Sequence, residues 1–535
     1  MDGYAFDDNA IRNGLGKLTY FELMDKVPVL TRSEMKVVEL LEDVSEIIDS
    51  VYAEQICPAM LDVVRKLGEN SSGANSERLK YVLFNKSPWD IFNGLKPFIT
   101  GNGICKGVAV YPEGIAKEEL ESAMAKGEID PSAAKSYYTA IERHGNRLVA
   151  VAYADKYRKL LEKAAAKLNE AANAADNKSL SAYLKATANA FLSNDYDEQQ
   201  KLWLKLDSRI EPTIGPYETY DDRKFGYKGF FESYVSIRND EETRRLKVFS
   251  SKLEEIDMSI PIEAGLDFRR KSQANSPIVV VEEIYSGGMA NAGFTTSAFN
   301  LPNDEAIRRT HGSKKVLMKN VIDAKFDALH MPVAERLLDK KQLSLMDKEA
   351  QFLFILFHEL SHGLGASEAR IRSEYVPASI ALKELFLHIE EARADITGIF
   401  CAMHFAKQGM LGSISMESFY VSYLAADLLR GMRMGLKEAH AMGEAIEYNY
   451  LKENGGIFYN PKEKRFGIDM DKIEAAIIKL VRELNSVEAS GDYGRAERLT
   501  EKYCRYTAEL EEAYNSIGGL PVDAVPKQHR LQGPA

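Results

Sequence analysis

Ser344-Leu-Met-Asp347-Lys-Glu-Ala-Gln-Phe-Leu-Phe-Ile-Leu-Phe357-His358-Glu359-Leu360-Ser361-His362-Gly363-Leu-Gly365 is the stretch from which the rest of the chain is best read. Ser344 with Asp347 three residues on resembles a capping box, which predicts a helix start there. The apolar residues that follow point all round the predicted helix, so it is buried on most sides, and Gly363 and Gly365 end it. Positions i and i+4 share one helical face, so the imidazoles of His358 and His362 can hold one zinc ion. Glu359, one residue past the first histidine, is placed to act as general base on a water molecule that the metal activates.

A hydrolytic zinc site needs a third protein ligand and an open position. Glu391 lies 29 residues after His362, far enough for a turn and a returning helix, which we expect to start after Pro377 and to run towards Lys407. Asp395 falls four residues further on and on the same face, where a carboxylate can accept the free ring N–H of a ligating histidine. The blander reading of Glu390-Glu391-Ala-Arg-Ala-Asp395 is a solvated charged face. Gly398, Ile399 and Phe400 follow, which speaks against a purely polar helix. His388 shares the face of Glu391 and is the rival third ligand, with packing beside the site as its alternative. His404 falls off that face, and His144, His311, His330 and His529 have no ligand-like neighbours.

The 535 residues suit a bilobed enzyme or a multidomain protein, and 45% apolar with 28% charged residues is the composition of an ordinary folded chain. With 69 basic against 80 acidic residues, the net charge of −11 repels phosphate backbones and argues against a nucleic-acid partner. Cys57, Cys105, Cys401 and Cys504 are far apart and include no CxxC pair. Neither a thiolate zinc site nor a disulfide framework is therefore read, and a reducing compartment is expected. The acidic start, Met1-Asp-Gly-Tyr-Ala-Phe-Asp-Asp8, shows no export signal, and no apolar run is long enough for a membrane span. A soluble, cytoplasmic protein is the expectation.

Roughly the first 210 residues read as successive helices, with amphipathic spacing over Met35 to Val51 and an Ala-, Lys- and Glu-rich stretch over Lys156 to Ala175. Thr213 to Tyr220 and Pro277 to Tyr285 are short and β-prone, and helical patterning returns from Ser344. The tail from Gly518, with Pro521 and Pro526, reads as extended.

These motifs together resemble the dipeptidyl peptidase III family of zinc metallopeptidases, family M49. Ile214-Gly-Pro-Tyr-Glu218-Thr-Tyr220 with Phe225 to Glu232 looks like the family's substrate-binding segment, and Asn300-Leu-Pro-Asn303 with Arg308 looks like its Asn-x-Pro-Asn segment. Glu390-Glu391-Ala-Arg-Ala-Asp395 resembles its glutamate motif, and Glu438-Ala-His440 the segment of its catalytic histidine. The family's usual HExxGH is replaced here by the five-residue HExxH, as in a divergent branch of bacterial members and the peptidase-like part of plant proteins that also carry a Nudix domain. No Nudix signature is present in this chain. The shorter form keeps the i, i+4 geometry, so the departure bears on substrate preference and rate rather than on zinc binding.

The resemblance implies one zinc ion held by His358, His362 and Glu391, with Glu359 as general base and Glu390 and Asp395 supporting the histidines. It implies that Tyr220 and His440 donate to the oxyanion of the tetrahedral intermediate. Glu218, Asn300 and Asn303 would bind the free N-terminal ammonium of a short peptide, with Arg308 further along it. One carboxylate and two amide oxygens match the three donors of an ammonium group. The expected fold is α+β and mostly helical, in two lobes separated by a cleft. Residues 1–238 and 284–330 would form a lobe with a small β-barrel core, residues 239–283 and 331–517 a helical zinc-binding lobe, and 518–535 an extended tail. The implied activity is release of dipeptides from short peptides, with no nucleic acid or membrane partner, and the oligomeric state is not indicated. Two alternatives stand beside it: a zinc exopeptidase of different register or specificity, and a peptide-binding relative with weak or no turnover.

Overall fold

The computed structural model describes residues 3–23, 29–271 and 277–531. The chain divides into two compact units. The first comprises Met1–Asp240, Pro277–Val321 and Val525–Ala535, and the second Glu241–Ser276 and Ile322–Ala524.

The first unit is built on a long helix and a sheet. Helix α1, Arg32–Ile56, opens with Thr31, whose side chain accepts from Glu34 N while Glu34 accepts from Thr31 N at 2.8 Å. That reciprocal cap satisfies two amides that the first turn would otherwise leave unpaired. Val37, Leu41, Val44, Ile48, Val51 and Ile56 recur at helical spacing and are all buried, each contributing on the order of 1.5–3 kcal/mol by leaving water. Helix α2, Ala59–Glu69, follows directly.

The sheet has five strands: β1 Ile210–Glu218, β2 Phe230–Arg238, β3 Ile278–Gly288, β4 Ala298–Leu301 and β5 Lys314–Met318, in the order β4-β5-β3-β2-β1. Only β3 and β5 are parallel; the other pairs are antiparallel. Both β-prone segments of the sequence are therefore strands. The expected β-barrel is not formed: β1 and β4 are the two edges of an open sheet. Helix α1 packs across β2 and β3, covering the face that barrel closure would otherwise have to bury. A bulge between Gly215 and Glu218 shifts the register of β1 against β2, so the end of the strand is re-aimed just before Tyr220. In the C-terminal tail, Asp523–Lys527 is a strand paired with Leu18–Glu22.

The second unit is mostly helical. Helix α3, Lys348–Ser361, carries the HExxH stretch and is buried nearly all round, as its apolar pattern predicts. Its cap differs from the expected one. Ser344 lies in a short 3₁₀ turn, and Asp347 itself is the N-cap, its carboxylate accepting from Ala350 N at 2.8 Å. Helix α4, Phe386–Lys407, ends where expected, but it does not run unbroken from Pro377. Lys383 adopts a left-handed conformation, φ 53°, and separates it from the short helix Ala378–Leu382. Helix α5, Ala439–Glu453, and helix α6, Ile473–Ser490, complete the group around the site. No helix of the described residues is long and apolar enough to cross a membrane.

Candidate metal centre and substrate anchor

Two close helix contacts assemble the centre. A Cβ on Gly398 of α4 would stand 2.9 Å from His358 N, and one on Gly443 of α5 would stand 3.0 Å from Ala392 N. Glycine at these positions lets α3, α4 and α5 approach until their functional side chains meet.

His358, His362 and Glu391 each present a ligand atom within 4.8 Å of the others. The Nε2 atoms of the two histidines are 3.1 Å apart, and Glu391 Oε2 lies 3.5 Å from one and 3.6 Å from the other. Ligand bonds of 2.0–2.1 Å at the corners of a tetrahedron place donor atoms about 3.3 Å apart, so the triangle has the dimensions of a zinc site. Its chemistry agrees. Asp395 Oδ1 engages His358 Nδ1 at 2.5 Å and Glu390 Oε1 engages His362 Nδ1 at 2.8 Å. Each carboxylate holds the ring proton on Nδ1 and turns the Nε2 lone pair inward. At that distance the two nitrogens must share a cation, either a proton or a metal ion. Glu391 Oε2 is buried without a hydrogen-bond partner, a further donor that fits a metal.

Burial opposes protonation of His358, but Asp395, Glu359 and Glu391 outweigh it and lift its pKa to about 9. Burial dominates at His362 and lowers its pKa. Glu359 is half-buried on the turn between them. His440, at the start of α5, is exposed on one side. Its Nδ1 bonds Glu438 at 2.9 Å, and its Nε2 lies 3.3 Å from Glu391 Oε2. These acids, with Asp395, raise its pKa to about 10 against the effect of burial. A cationic imidazole is thereby held beside the triangle. His388, the rival ligand, points elsewhere: its Nε2 bonds Thr500 Oγ1 at 2.8 Å.

Beneath Glu390 lies a buried ion cluster absent from our reading of the sequence. Arg393 bonds both oxygens of Glu390 at 2.8 Å and lies 3.0 Å from Glu488 of α6, while Lys271 bonds Glu390 at 2.9 Å. Burial alone would raise the pKa of Glu390, but Arg393 and Lys271 hold it well below the usual range. Behind Asp395 sit further carboxylates, Asp427, Glu444 and Glu447, the last bonded by the Tyr423 hydroxyl. Burial and the charge of Asp395 push all three well above the ordinary range. They surround Asp395 with neutral acids rather than competing anions. The periodicity of His440, Glu444 and Glu447 puts them on one face of α5; nothing local marks Lys271 or Glu488.

The other predicted residues lie in the first unit. Glu218, at the end of β1, is buried, and both its oxygens accept from Tyr220 N, at 2.9 and 2.8 Å. Burial, and then the neighbouring Asp221, raise its pKa to about 8. Asn303 Nδ2 donates to Tyr217 O at 2.6 Å, which places this amide beside the residue preceding Glu218. Asn300 lies on the edge strand β4, and its Oδ1 is buried without a hydrogen-bond partner. Tyr220 is 80% exposed, unusual for a tyrosine after a strand. Arg308 is exposed on the short helix Glu305–His311.

The arrangement can be set beside known proteins. A family model described as peptidase family M49 matches residues 116–368. The solved structure of DPP III from Caldithrix abyssi is 36% identical, with a TM-score of 0.92 over 96% of this chain and 98% of that one. The chain belongs to peptidase family M49. A second solved structure, dipeptidyl-peptidase III from Corallococcus sp. strain EGB, is 31% identical with a TM-score of 0.81, covering 97% of each chain. Among sequences, Nudix hydrolase 3 of Arabidopsis thaliana is 30% identical over 97% of this chain and 73% of its own length. M49 membership makes the protein a metallopeptidase of the dipeptidyl peptidase III type, and the resemblance read from the motifs holds at the level of the whole chain.

Proposed function

We propose that this protein is a zinc-dependent exopeptidase that removes dipeptides from the free N-terminus of short peptides. The observation that carries the reading is the donor triangle: two imidazoles oriented by carboxylates on Nδ1, with their Nε2 atoms and a buried carboxylate oxygen that lacks a hydrogen bond at tetrahedral spacing. Zinc held by His358, His362 and Glu391 would supply Lewis acidity, polarising the scissile carbonyl and acidifying water.

The chain's own residues do the remaining work. Glu359 takes the proton of the attacking water and later delivers it to the leaving amine. His440, kept cationic by Glu438 and Glu391, donates to the oxygen on which negative charge develops, as does the hydroxyl of Tyr220. Glu218, with the side-chain oxygens of Asn300 and Asn303, receives the peptide ammonium. A carboxyl that burial has made reluctant to ionise releases its proton when a cation arrives. Selectivity for a charged N-terminus follows. The strand β4 is an edge of the sheet, where an extended peptide can add strand-like bonds. Arg308 would contact the peptide further along.

The test is hydrolysis of a dipeptidyl arylamide and of matched free and N-acetylated peptides, with and without chelator, beside metal quantification. One zinc per chain and dipeptide products from free N-termini alone are expected. Products of another length would assign a different exopeptidase register, and cleavage of acetylated peptides at equal rate would remove the anchor from the reading. Bound zinc without turnover would make the chain a binding relative.

A further inference from the structure

Cys57 and Cys105 are 48 positions apart in sequence, yet the fold brings them into contact. Cys105 N donates to Cys57 Sγ at 3.1 Å, and both thiols are directed at one acceptor, Gly103 O, at 3.8 and 3.9 Å. Cys57 is buried at the junction of α1 and α2, and Cys105 is half-exposed on the loop that passes over it. Around the Cys57 sulfur stand the Cys105 sulfur, the Cys105 amide, and the amides of Ala59 and Met60 in the first turn of α2. Together they lower its pKa, while the neighbouring Cys57 sulfur and burial raise that of Cys105. The other two cysteines lack this environment. Burial pushes Cys401 up to about 12 and raises Cys504.

We propose that Cys57 and Cys105 form a thiol–disulfide exchange site, oxidised to an intramolecular disulfide by low-molecular-weight disulfides such as that of glutathione. In the first step the accessible Cys105 sulfur attacks the small disulfide as its proton, held tightly because of burial and the neighbouring Cys57 sulfur, is drawn off through the Cys57 thiolate. A mixed disulfide forms, and one small thiol leaves with the Cys105 proton. In the second, the Cys57 thiolate attacks the Cys105 sulfur, the protein disulfide forms, and the second small thiol leaves with the remaining proton. Two protein thiols are oxidised and one small disulfide is reduced to two thiols. The division of labour follows from exposure: the half-exposed sulfur meets the oxidant, and the buried one resolves the adduct.

The crosslink would act on a defined wall. Lys106, Gly107 and Val108, next to Cys105, line a cavity of about 510 Å³ that is also lined by Tyr220 and Asp221. Ala109 N already bonds Gln55 O at 2.8 Å at the end of α1, so the disulfide would add a covalent tie where the loop and helix are joined by hydrogen bonds.

The experiment is incubation of the full chain with glutathione disulfide over a range of reduced glutathione, then alkylation, digestion and mass spectrometry. A linked Cys57–Cys105 peptide is expected to replace both alkylated peptides, to revert with dithiothreitol, and to raise the unfolding midpoint by several degrees. In Cys57→Ser the expected product is a stable glutathione adduct on Cys105. Because Cys57 is buried and its variant can fail to fold, Cys105→Ser provides the second test: Cys57 should then stay a free thiol. A lasting glutathione adduct on Cys105 of the wild-type protein with Cys57 alkylated would overturn the proposal. So would oxidation of Cys57 at an undiminished rate in Cys105→Ser. Neither readout depends on peptidase activity.

Discussion

Glu390 in the second unit and Glu218 in the first are both buried carboxylates, and their surroundings drive them in opposite directions. Arg393 and Lys271 bracket Glu390 and hold it ionised, so its charge is a permanent part of the fold. Glu218 has Asp221 and Glu232 for neighbours, and no ion pair to Glu218 or Glu232 occurs among the described residues. Burial therefore shifts it towards the neutral acid. The difference separates two ways of preparing a cation site. The first fixes its anions with internal cations, so that ligand atoms stay in place and only the facing imidazole nitrogens and one glutamate oxygen are left for a metal. The second leaves its anions unbalanced, so that ionisation itself depends on an arriving positive charge. A small divalent ion demands fixed geometry. An ammonium group, with three donors and longer contacts, suits acceptors that respond to it.

The largest effect that would sharpen this contrast comes from a residue belonging to neither set of supporting charges. Glu359→Gln should retain zinc by metal analysis while turnover falls by about 10²–10⁴-fold, the usual worth of a positioned general base. Undiminished turnover in that variant would detach the metal triangle from the chemistry. Next comes the anchor. Glu218→Gln should weaken kcat/KM for peptides with a free N-terminus by about 100-fold, the upper range for losing a charge-assisted hydrogen bond. Metal content should be unchanged, and the already poor activity on N-acetylated peptides should not fall further. An equal loss on both substrate types would mean that Glu218 shapes the fold and does not read the ammonium.

A smaller effect is expected where the fixed cluster is disturbed. Glu390→Gln takes the charge from the bond to His362 Nδ1 that sets the tautomer, and zinc affinity should drop about 10–100-fold in a chelator competition. The same variant leaves Arg393 buried with one fewer acid, so a companion Arg393→Met in the Glu390→Gln background should recover part of the stability but not the affinity. Recovery of both would show that His362 needs no partner.

The residues of these two sites differ in how far they could be read in advance. His358, His362, Glu391 and Asp395 were legible because helical periodicity converts sequence spacing directly into a shared face, and the structure places all four together. Gly398, read with Ile399 and Phe400 only as speaking against a purely polar helix, is where α4 meets α3 closely. Lys271 and Glu488 were not legible, since they reach Glu390 from 119 and 98 positions away, and only the tertiary fold selects them. The pairing of Cys57 with Cys105 escaped for the same reason. The barrel was an expectation carried by resemblance, and strand patterning alone does not tell an open sheet from a closed one when a helix can cover the exposed face. Ser344 had the spacing of a cap, but Asp347 competes for the same role one turn later and its carboxylate caps the helix that forms.

The finest distinction between the two carboxylates is in the pH dependence of stability. Glu218 rises from 4.5 to about 8 on folding, through burial first and Asp221 second. Between those values the folded protein keeps a proton that the unfolded chain has lost, so this residue makes stability fall as pH rises. The contribution is fully present below the unfolded value and gone once pH passes the folded one. Glu218→Gln cannot titrate. Its unfolding midpoint should therefore match the wild type near pH 4.5 and exceed it above pH 8, by on the order of 1–2 °C for each kcal/mol recovered. Glu390, held ionised throughout, should show no such crossover when replaced by Gln: that variant should be less stable across the same range. A free-N-terminus peptide should narrow the Glu218 difference at high pH, because the ammonium stabilises the ionised carboxylate that burial alone disfavours. If the wild type and Glu218→Gln lost stability in parallel from pH 5 to 9, the carboxyl would be ionised all along, and the two sites would not differ in the way their neighbours indicate.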